Sequence, residues 1–405
     1  MNSAVRSASS PRGSAPEPAV TEDGHRLLLV SHYFAGHRGG VELVAEALAR
    51  RLCTDHGWHV MWMASDSDAL PVDPPAELTA ASARACNWTE EHLGFPWPIW
   101  SPVALRSLWR AVGAADVVHL HDALYFGNAF AWGFARLRRV PVLVTQHVGT
   151  VPYRSFVLRT LHRVANRTLG RMILSAAQRV VFISPAVRDE FAGFCRFAEP
   201  PGYLPNGVDL ATYCPEGSLS ADPSIVAARA AHRLIVLFVG RFVEKKGLPL
   251  LRCLAQRCDE ILWVFAGNGP LDPATWGLPN VHVVRGISGG ELASLYRAAD
   301  LLVLPSVGEG FPLVVQEAMA CGTPVLVSEE VAAGCPEARQ VMLVEPVGPP
   351  HSSERWTGRI ALLGRDRKAL RARGRDGATF ASAHWSWRTT AAAYAAEFSR
   401  LVRQR

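Results

Sequence analysis

Leu301-Leu302-Val303-Leu304-Pro305-Ser306-Val307-Gly308-Glu309-Gly310-Phe311-Pro312-Leu313-Val314-Val315-Gln316-Glu317-Ala318-Met319-Ala320-Cys321-Gly322 is the stretch on which the reading of this chain turns. Its first four residues are an unbroken apolar run of strand length, and a helical pattern follows Pro312. Proline suits a first helical turn, where its missing N–H is not needed. A strand feeding a helix through a short loop is half of a βαβ unit, and ligands of such units bind beyond the carboxyl ends of the strands. Glu309 lies in that loop, and Glu317 falls inside the helix beside Val314, Ala318 and Cys321. A carboxylate on a largely apolar helix needs a partner. A salt bridge on the helix face provides one, and so do sugar hydroxyls.

The same alternation runs outward from this stretch. Upstream and downstream, strands are expected at Leu234–Val239, Leu262–Ala266, His282–Val284 and Pro324–Val327, with helices at Leu248–Arg257, Glu291–Ala299 and Pro312–Ala320. An earlier series has strands at Leu27–Ser31, His59–Ala64, Val117–Leu120, Val142–Thr145 and Val180–Ile183. Helices at Val41–Leu52, Pro102–Val112, Ala123–Arg138 and Phe156–Ala177 lie between those strands. The class is α/β, and a series that restarts implies two doubly wound domains. The turn-rich run Pro200-Pro201-Gly202-Tyr203-Leu204-Pro205-Asn206-Gly207 separates them. The expected division is a disordered Ser/Pro/Ala-rich tail at 1–24, a first domain at 25–203, a second at 204–384 and a terminal helical segment at 385–405.

At 405 residues the chain is long enough for two to three domains, each with its own core. A composition of 49% hydrophobic and 19% charged residues excludes a mostly disordered chain. The net charge of +6 favours anionic partners: phosphates, nucleotide sugars, acidic lipids or nucleic acid. No motif supports the last, so no nucleic-acid partner is expected. No apolar run reaches the roughly 18–20 residues of a membrane span. The eight cysteines contain no Cys-x-x-Cys pair, so reduced thiols, no zinc site and no cofactor are expected. With no secretory apolar stretch near the start, the expected location is cytoplasmic.

The strand-end loops carry the candidate chemistry. Gly36-His37-Arg38-Gly39-Gly40 opens a helix, and two glycines let backbone approach a diphosphate. His119-Leu120-His121-Asp122 ends a strand, with both histidines on one side. Gly240-Arg241-Phe242-Val243-Glu244-Lys245-Lys246-Gly247 lacks P-loop spacing, but Arg241 and Lys246 can converge on one phosphate. Ala266-Gly267-Asn268-Gly269-Pro270 is a glycine turn suited to close approach by a base or ribose. Asp66-Ser67-Asp68 has the Asp-x-Asp spacing of a divalent-metal pair, though any polar turn contains it as readily.

Taken together and in this order, these motifs resemble the retaining nucleotide-sugar glycosyltransferases of family 4, which have the GT-B fold. The resemblance spans the chain from about Leu27 onward and also rests on Pro205-Asn206-Gly207-Val208-Asp209. Its strongest element is the glutamate pair in Glu309-Gly310-Phe311-Pro312 and Glu317-Ala318. The resemblance implies two Rossmann-like domains facing across a cleft, the second holding a UDP- or GDP-linked sugar and the first most of the acceptor. It implies that Arg241 and Lys246 hold the diphosphate and stabilise its leaving charge, with Gly240, Asn268 and Gly269 lining the donor site. Glu309, with the backbone of Gly310 and Phe311, contacts the transferred sugar, and Glu317 the ribose. Gly39 and Gly40 close over the phosphates, and His121 sits near the reacting sugar. Transfer retains anomeric configuration without a metal, onto a glycan or lipid-linked acceptor, and the last helix packs back on the first domain.

Two departures stand out. Thr145-Gln146-His147-Val148-Gly149 has one residue more than the family's Thr-x-His-Gly, and Pro336-Glu337-Ala338-Arg339-Gln340 replaces a glycine-rich turn. A catalytically inactive GT-B binding subunit is the competing class, but it is expected to lose one of these phosphate or glutamate positions. Finally, Arg159, Arg163, Arg167 and Arg171 recur every four residues opposite Leu158, Leu161, Val164, Ala165, Leu169, Met172 and Ile173. Either the apolar face packs on the sheet with the arginines solvated, or the helix meets an anionic membrane surface, leaving the enzyme peripheral on its cytoplasmic face. The aromatic run Phe95-Pro96-Trp97-Pro98-Ile99-Trp100 suits the same interface or the acceptor cleft.

Overall fold

The computed structural model describes residues 24–37, 39–88, 97–150, 155–348 and 351–405. The tail through residue 23, Arg38, and Phe95 and Pro96 of the aromatic run lie outside them. In chain order the strands are β1 (Arg26–Val30), β2 (His59–Ser65), β3 (Leu78–Ala83), β4 (Ala85–Cys86), β5 (Ile99–Trp100), β6 (Val117–His121), β7 (Val142–Gln146), β8 (Arg179–Phe182) and β9 (Gly202–Tyr203). After these come β10 (Ile235–Val239), β11 (Leu262–Ala266), β12 (Val281–Val284), β13 (Leu301–Leu304), β14 (Val325–Val327) and β15 (Leu343–Val344).

The first sheet runs β3-β2-β1-β6-β7-β8-β9 and the second β12-β11-β10-β13-β14-β15, while β4 and β5 form a separate antiparallel ribbon. Every pairing in the two large sheets is parallel. Each sheet reverses direction beside its first strand, which opens a crevice at the strand ends there. The central strands are buried along their whole length, because helices cover both faces of a parallel sheet.

Strand β3 escapes sequence reading because Leu78-Thr79-Ala80-Ala81-Ser82-Ala83 is low in β-formers. It is an edge strand, held by its register on β2. The Ser352–Arg365 and Arg367–His384 helices escape it too. The second buries Leu370, Gly374, Gly377 and Ala381 in place of an apolar stripe. A Cβ on Gly374 would strike the carbonyl of Gly322, so small residues there let this helix seat against the end of Leu313–Ala320.

The last helix, Trp387–Arg403, belongs to the first domain's core. Its Trp387, Ala391, Tyr394, Phe398 and Leu401 pack with Leu27, Leu48, Trp58 and Val117. Each large side chain so buried contributes roughly 1.5–3 kcal/mol. Ion pairs from Arg179 to Glu397 at 2.7 Å and from Arg400 to Glu199 at 2.9 Å fasten its outer edge. The chain therefore crosses between domains twice. At the junction Gln316 donates to the carbonyl of Asn206 at 2.7 Å, and the Val208 N–H to that of Trp385 at 2.7 Å.

Candidate active site

The loops after β10, β11 and β13 interlock. The Phe242 N–H donates to the Asn268 carbonyl at 2.7 Å, and the Val307 N–H to that of Lys245 at 2.8 Å. Gly269 has φ +150°, and a Cβ there would lie 2.7 Å from the backbone of Phe242, so the approach of the two loops requires glycine. This brings three cations to one carboxylate loop. Lys246 Nζ lies 3.1 Å and Lys245 Nζ 3.6 Å from Glu309 Oε1. Burial pushes Glu309 up, but the charge of Lys246, then that of Lys245, outweighs it and holds Glu309 below the ordinary carboxylate range. Arg241 is exposed, with no carboxylate partner among the described residues. Phe311 turns into the second-domain core against Trp385, leaving only its backbone at the loop.

Glu317 accepts from the Tyr296 hydroxyl at 2.9 Å. Burial raises its carboxyl to about 7, against that hydrogen bond. Asn268 is exposed at the mouth of the neighbouring turn.

The facing wall is a buried polar cradle at the ends of β6 and β7. His121 Nδ1 and His147 Nε2 are 2.9 Å apart, so one ring donates to the other's bare nitrogen. His119 bonds Thr145 Oγ1 at 2.8 Å, which in turn meets the Tyr394 hydroxyl at 3.0 Å. Burial first, and neighbouring imidazole charge second, drives His119 down to about 3 and His121 well below its ordinary value. Burial does the same to His147, at about 3. Asp122 adopts φ +65°, held by Asn128, which donates to the carbonyls of His121 at 2.6 Å and Asp122 at 2.7 Å. Asp122 Oδ1 accepts from the N–H groups of His147 at 2.7 Å and Val148 at 3.3 Å. Burial nevertheless raises it to about 7. His121 Nε2 and Asp122 Oδ2 are buried with no hydrogen-bond partner among the described residues. Unsatisfied buried polar atoms of this kind mark strain or a missing ligand.

The two walls touch. A Cβ on Gly310 would lie 2.6 Å from the His147 carbonyl, so the Glu309-Gly310 turn sits directly against the histidine cradle.

Residues 38–212 match the family described as Glycosyltransferase Family 4, and residues 233–361 that described as Glycosyl transferases group 1. The chain belongs to glycosyltransferase family 4. The TuaC glycosyltransferase of Bacillus subtilis, named for teichuronic acid biosynthesis, is 25% identical over 236 residues, 58% of this chain. The chain spans about half the length of the curated relatives it matches, 57% in that case. Sucrose-phosphate synthase from Thermosynechococcus elongatus superposes with a TM-score of 0.74 at 22% identity, covering 94% of this chain and all (100%) of that one. Anabaena HepE in complex with UDP-glucose does so with a TM-score of 0.69 at 16% identity, covering 93% of this chain and 99% of that one. The shared architecture is GT-B.

The structure brings Arg241, Lys246, Gly240, Asn268, Gly269, Glu309 and Gly310 onto adjoining loops of the second domain, with Glu317 on the Leu313–Ala320 helix that follows. It sets His121 across from them. Gly39 caps the Gly40–His56 helix, but a Cβ on Gly39 would strike the Glu42 carboxylate, whereas one on Gly40 would meet nothing. Glu42 went unread in the sequence. Burial, with the charges of Asp122 and Asp68, raises it to about 7 against its own backbone N–H and Arg241. Its signal is a glutamate in the first turn after Gly39-Gly40. Lys245, Asp122 and His147 also join the site, each from within a motif whose spacing points to its neighbours. The Asp-x-Asp carboxylates turn to different partners: Asp66 accepts from the Ala85 N–H at 2.9 Å, and Asp68 pairs with His37 at 3.3 Å.

Over Phe156–Ala165 the basic helix does not pack on the sheet. No residue there is buried, and Phe156 (69% exposed), Val157 (71%), Leu161 (59%) and Val164 (52%) face solvent. Only its later part, at Ile173 and Leu174, enters the core. No helix among the described residues is long and apolar enough to cross a membrane.

Proposed function

We propose that this protein transfers a sugar, with retention of anomeric configuration and without a metal, from a UDP- or GDP-linked donor to a glycan or lipid-linked glycan acceptor. The observation that carries the reading is the Lys246–Glu309 pair seated where Gly310 meets the histidine cradle. In the resting site, Glu309 occupies the charge of Lys246. An arriving diphosphate competes for that charge, and unpaired Arg241 offers it a planar fork. The two cations then stabilise the negative charge that builds on the leaving nucleoside diphosphate. Glu309, released from Lys246, is free to accept from hydroxyls of the transferred sugar, and Glu317 from those of the ribose.

His121 is neutral and cannot supply positive charge. Its role is to offer a hydrogen bond from Nε2, its unsatisfied nitrogen, to the sugar or the incoming hydroxyl. The acceptor proton passes to the departing phosphate oxygen on the same face, as the new bond from the acceptor oxygen to the sugar forms and the sugar–phosphate bond breaks, which gives retention.

The first domain takes the acceptor. The exposed apolar edge of Phe156–Ala165, flanked by Arg159, Arg163 and Arg167, fits an anionic membrane surface and hence a lipid-linked acceptor on the cytoplasmic face. The test is a screen of nucleoside-diphosphate sugars against free and lipid-linked glycans, read as nucleoside diphosphate release in excess EDTA, with the product anomer assigned by NMR. Acceptor-dependent release with a retained anomer is expected. Abolition by EDTA with rescue by manganese contradicts the metal-free reading, and an inverted product contradicts retention.

A further inference from the structure

The Phe126–Arg138 helix ends away from the candidate active site, at a cavity of about 340 Å³. Arg136, Arg139 and Arg405 line it, with Trp132, Gln178 and Gln404, and its lining holds no acidic residue. Among the described residues none of the three guanidiniums has a carboxylate partner, and Arg405 donates to the carbonyl of Ala115 at 3.3 Å. Gln178 accepts from the Val142 N–H at 2.9 Å through its carbonyl oxygen, which leaves its NH2 to donate. Cations at a helix C-terminus often answer its bare carbonyls. Here two of those carbonyls are already satisfied, that of Ala135 by the Val140 N–H at 2.9 Å and that of Arg136 by the Arg139 N–H at 3.3 Å.

The backbone adds a second, independent sign. Arg139 holds φ +56° at the helix's C-terminal cap, a left-handed conformation that glycine adopts freely and other residues disfavour. The Gly40–His56 helix solves the same problem in the ordinary way, with Gly57 at φ +66°. An arginine kept at the cap position, beside two more brought in by the fold, places like charges together with no acidic side chain in the lining.

We propose that this cavity binds a phosphate group, held by Arg136 and Arg139 with Arg405 and the Gln178 amide. It is separate from the donor site. Strand β7 starts at the cavity with Val142 and ends beside His147, so the cavity lies about 16 Å from the histidine cradle at roughly 3.3 Å per residue. Its lining joins first-domain elements to the terminal helix that returns from the second domain, so an occupant fastens that helix at its far end.

Titration calorimetry with inorganic phosphate tests the proposal on the full chain carrying Arg241→Ala and Lys246→Ala, which silences the cleft. Saturable binding is expected, weakened at least about tenfold when Arg136→Gln and Arg139→Gly are added. Arg139→Gly places glycine where the backbone favours it, so the melting temperature should hold. Sedimentation with phosphatidylglycerol vesicles is the second arm. Vesicle binding that depends on the same two residues, without binding of free phosphate, assigns the group to a lipid headgroup. The proposal is overturned if neither probe binds the cleft-silenced chain, or if binding is undiminished by both exchanges. Either result leaves the donor-site reading untouched.

Discussion

The second-domain wall of the cleft presents charge. Lys246 and Lys245 crowd Glu309, and Arg241 stands exposed beside them. The first-domain wall buries neutrality: three imidazoles stripped of charge by desolvation, and two carboxyls, Asp122 and Glu42, raised to about 7. A cationic wall suits a leaving group that gains negative charge, and a neutral, preorganised wall suits a sugar whose hydroxyls need orientation. The division of labour also sets how each wall fails. Cations on strand-end loops lose function without unfolding the chain, whereas a buried polar network loses both.

The largest effect expected is therefore on the cationic wall. Arg241→Ala with Lys246→Ala should reduce transfer by about 10³-fold or more with the chain still folded, since losing one well-placed donor typically costs about 10²–10³-fold. Steady-state rates at saturating donor check this, and near-normal turnover would remove the charge asymmetry.

His121→Ala sharpens the comparison from the other side. It leaves His147 Nε2 buried and unpaired, so urea unfolding should show a loss of about 1–3 kcal/mol. Affinity for UDP or GDP should stay put, because the proposed partner of His121 is the sugar or the incoming hydroxyl and not the diphosphate. A drop in nucleotide affinity equal to that of the Lys246 variant would show that the walls do not act separately.

Glu317 links pH to the donor. With its carboxyl raised to about 7 by burial, it carries a proton below that pH, so in its proposed role it would accept two ribose hydroxyls best above it. Affinity for a nucleoside-diphosphate sugar should rise from about pH 6 to about pH 8, several-fold, and Glu317→Gln should flatten the profile. Stability moves the opposite way. For Glu317, Asp122 and Glu42, folded values lie above unfolded ones, so their contribution is full below the ordinary carboxylate range and is lost as pH rises to about 7.

The smallest effect concerns the projecting helix. Arg159, Arg163 and Arg167 to Gln should weaken binding to anionic vesicles by about 1 kcal/mol per residue, with no change toward neutral vesicles. Sedimentation at low and high salt reads it, and indifference of the wild type to anionic vesicles at low salt would detach the acceptor from the membrane.

The two walls were not equally legible. The Glu309-Gly310-Phe311-Pro312 and Glu317 spacing, and Arg241 with Lys246, are local motifs on strand-end loops, so reading the chain in order finds them. The central strands of both sheets read well for the same reason: buried parallel strands are short apolar runs, unlike β3, β9 and β15 at the edges. The histidine cradle is not local. His121 meets His147 across 26 residues, and Thr145 meets Tyr394 across 249, so no spacing announces them. The exposed face of Phe156–Ala165 was undecidable because an amphipathic pattern records two faces but not which one finds a partner.

The central claim, that the cationic wall holds a nucleoside diphosphate, is tested most directly without any acceptor. Titration calorimetry of UDP and GDP, in EDTA, compares the wild-type chain with its Arg241→Ala, Lys246→Ala variant. The account predicts saturable binding of at least one nucleotide to the wild type, weakened by about 100-fold or more in the variant. Equal affinity in both proteins, or no binding of either nucleotide to the wild type, would contradict it.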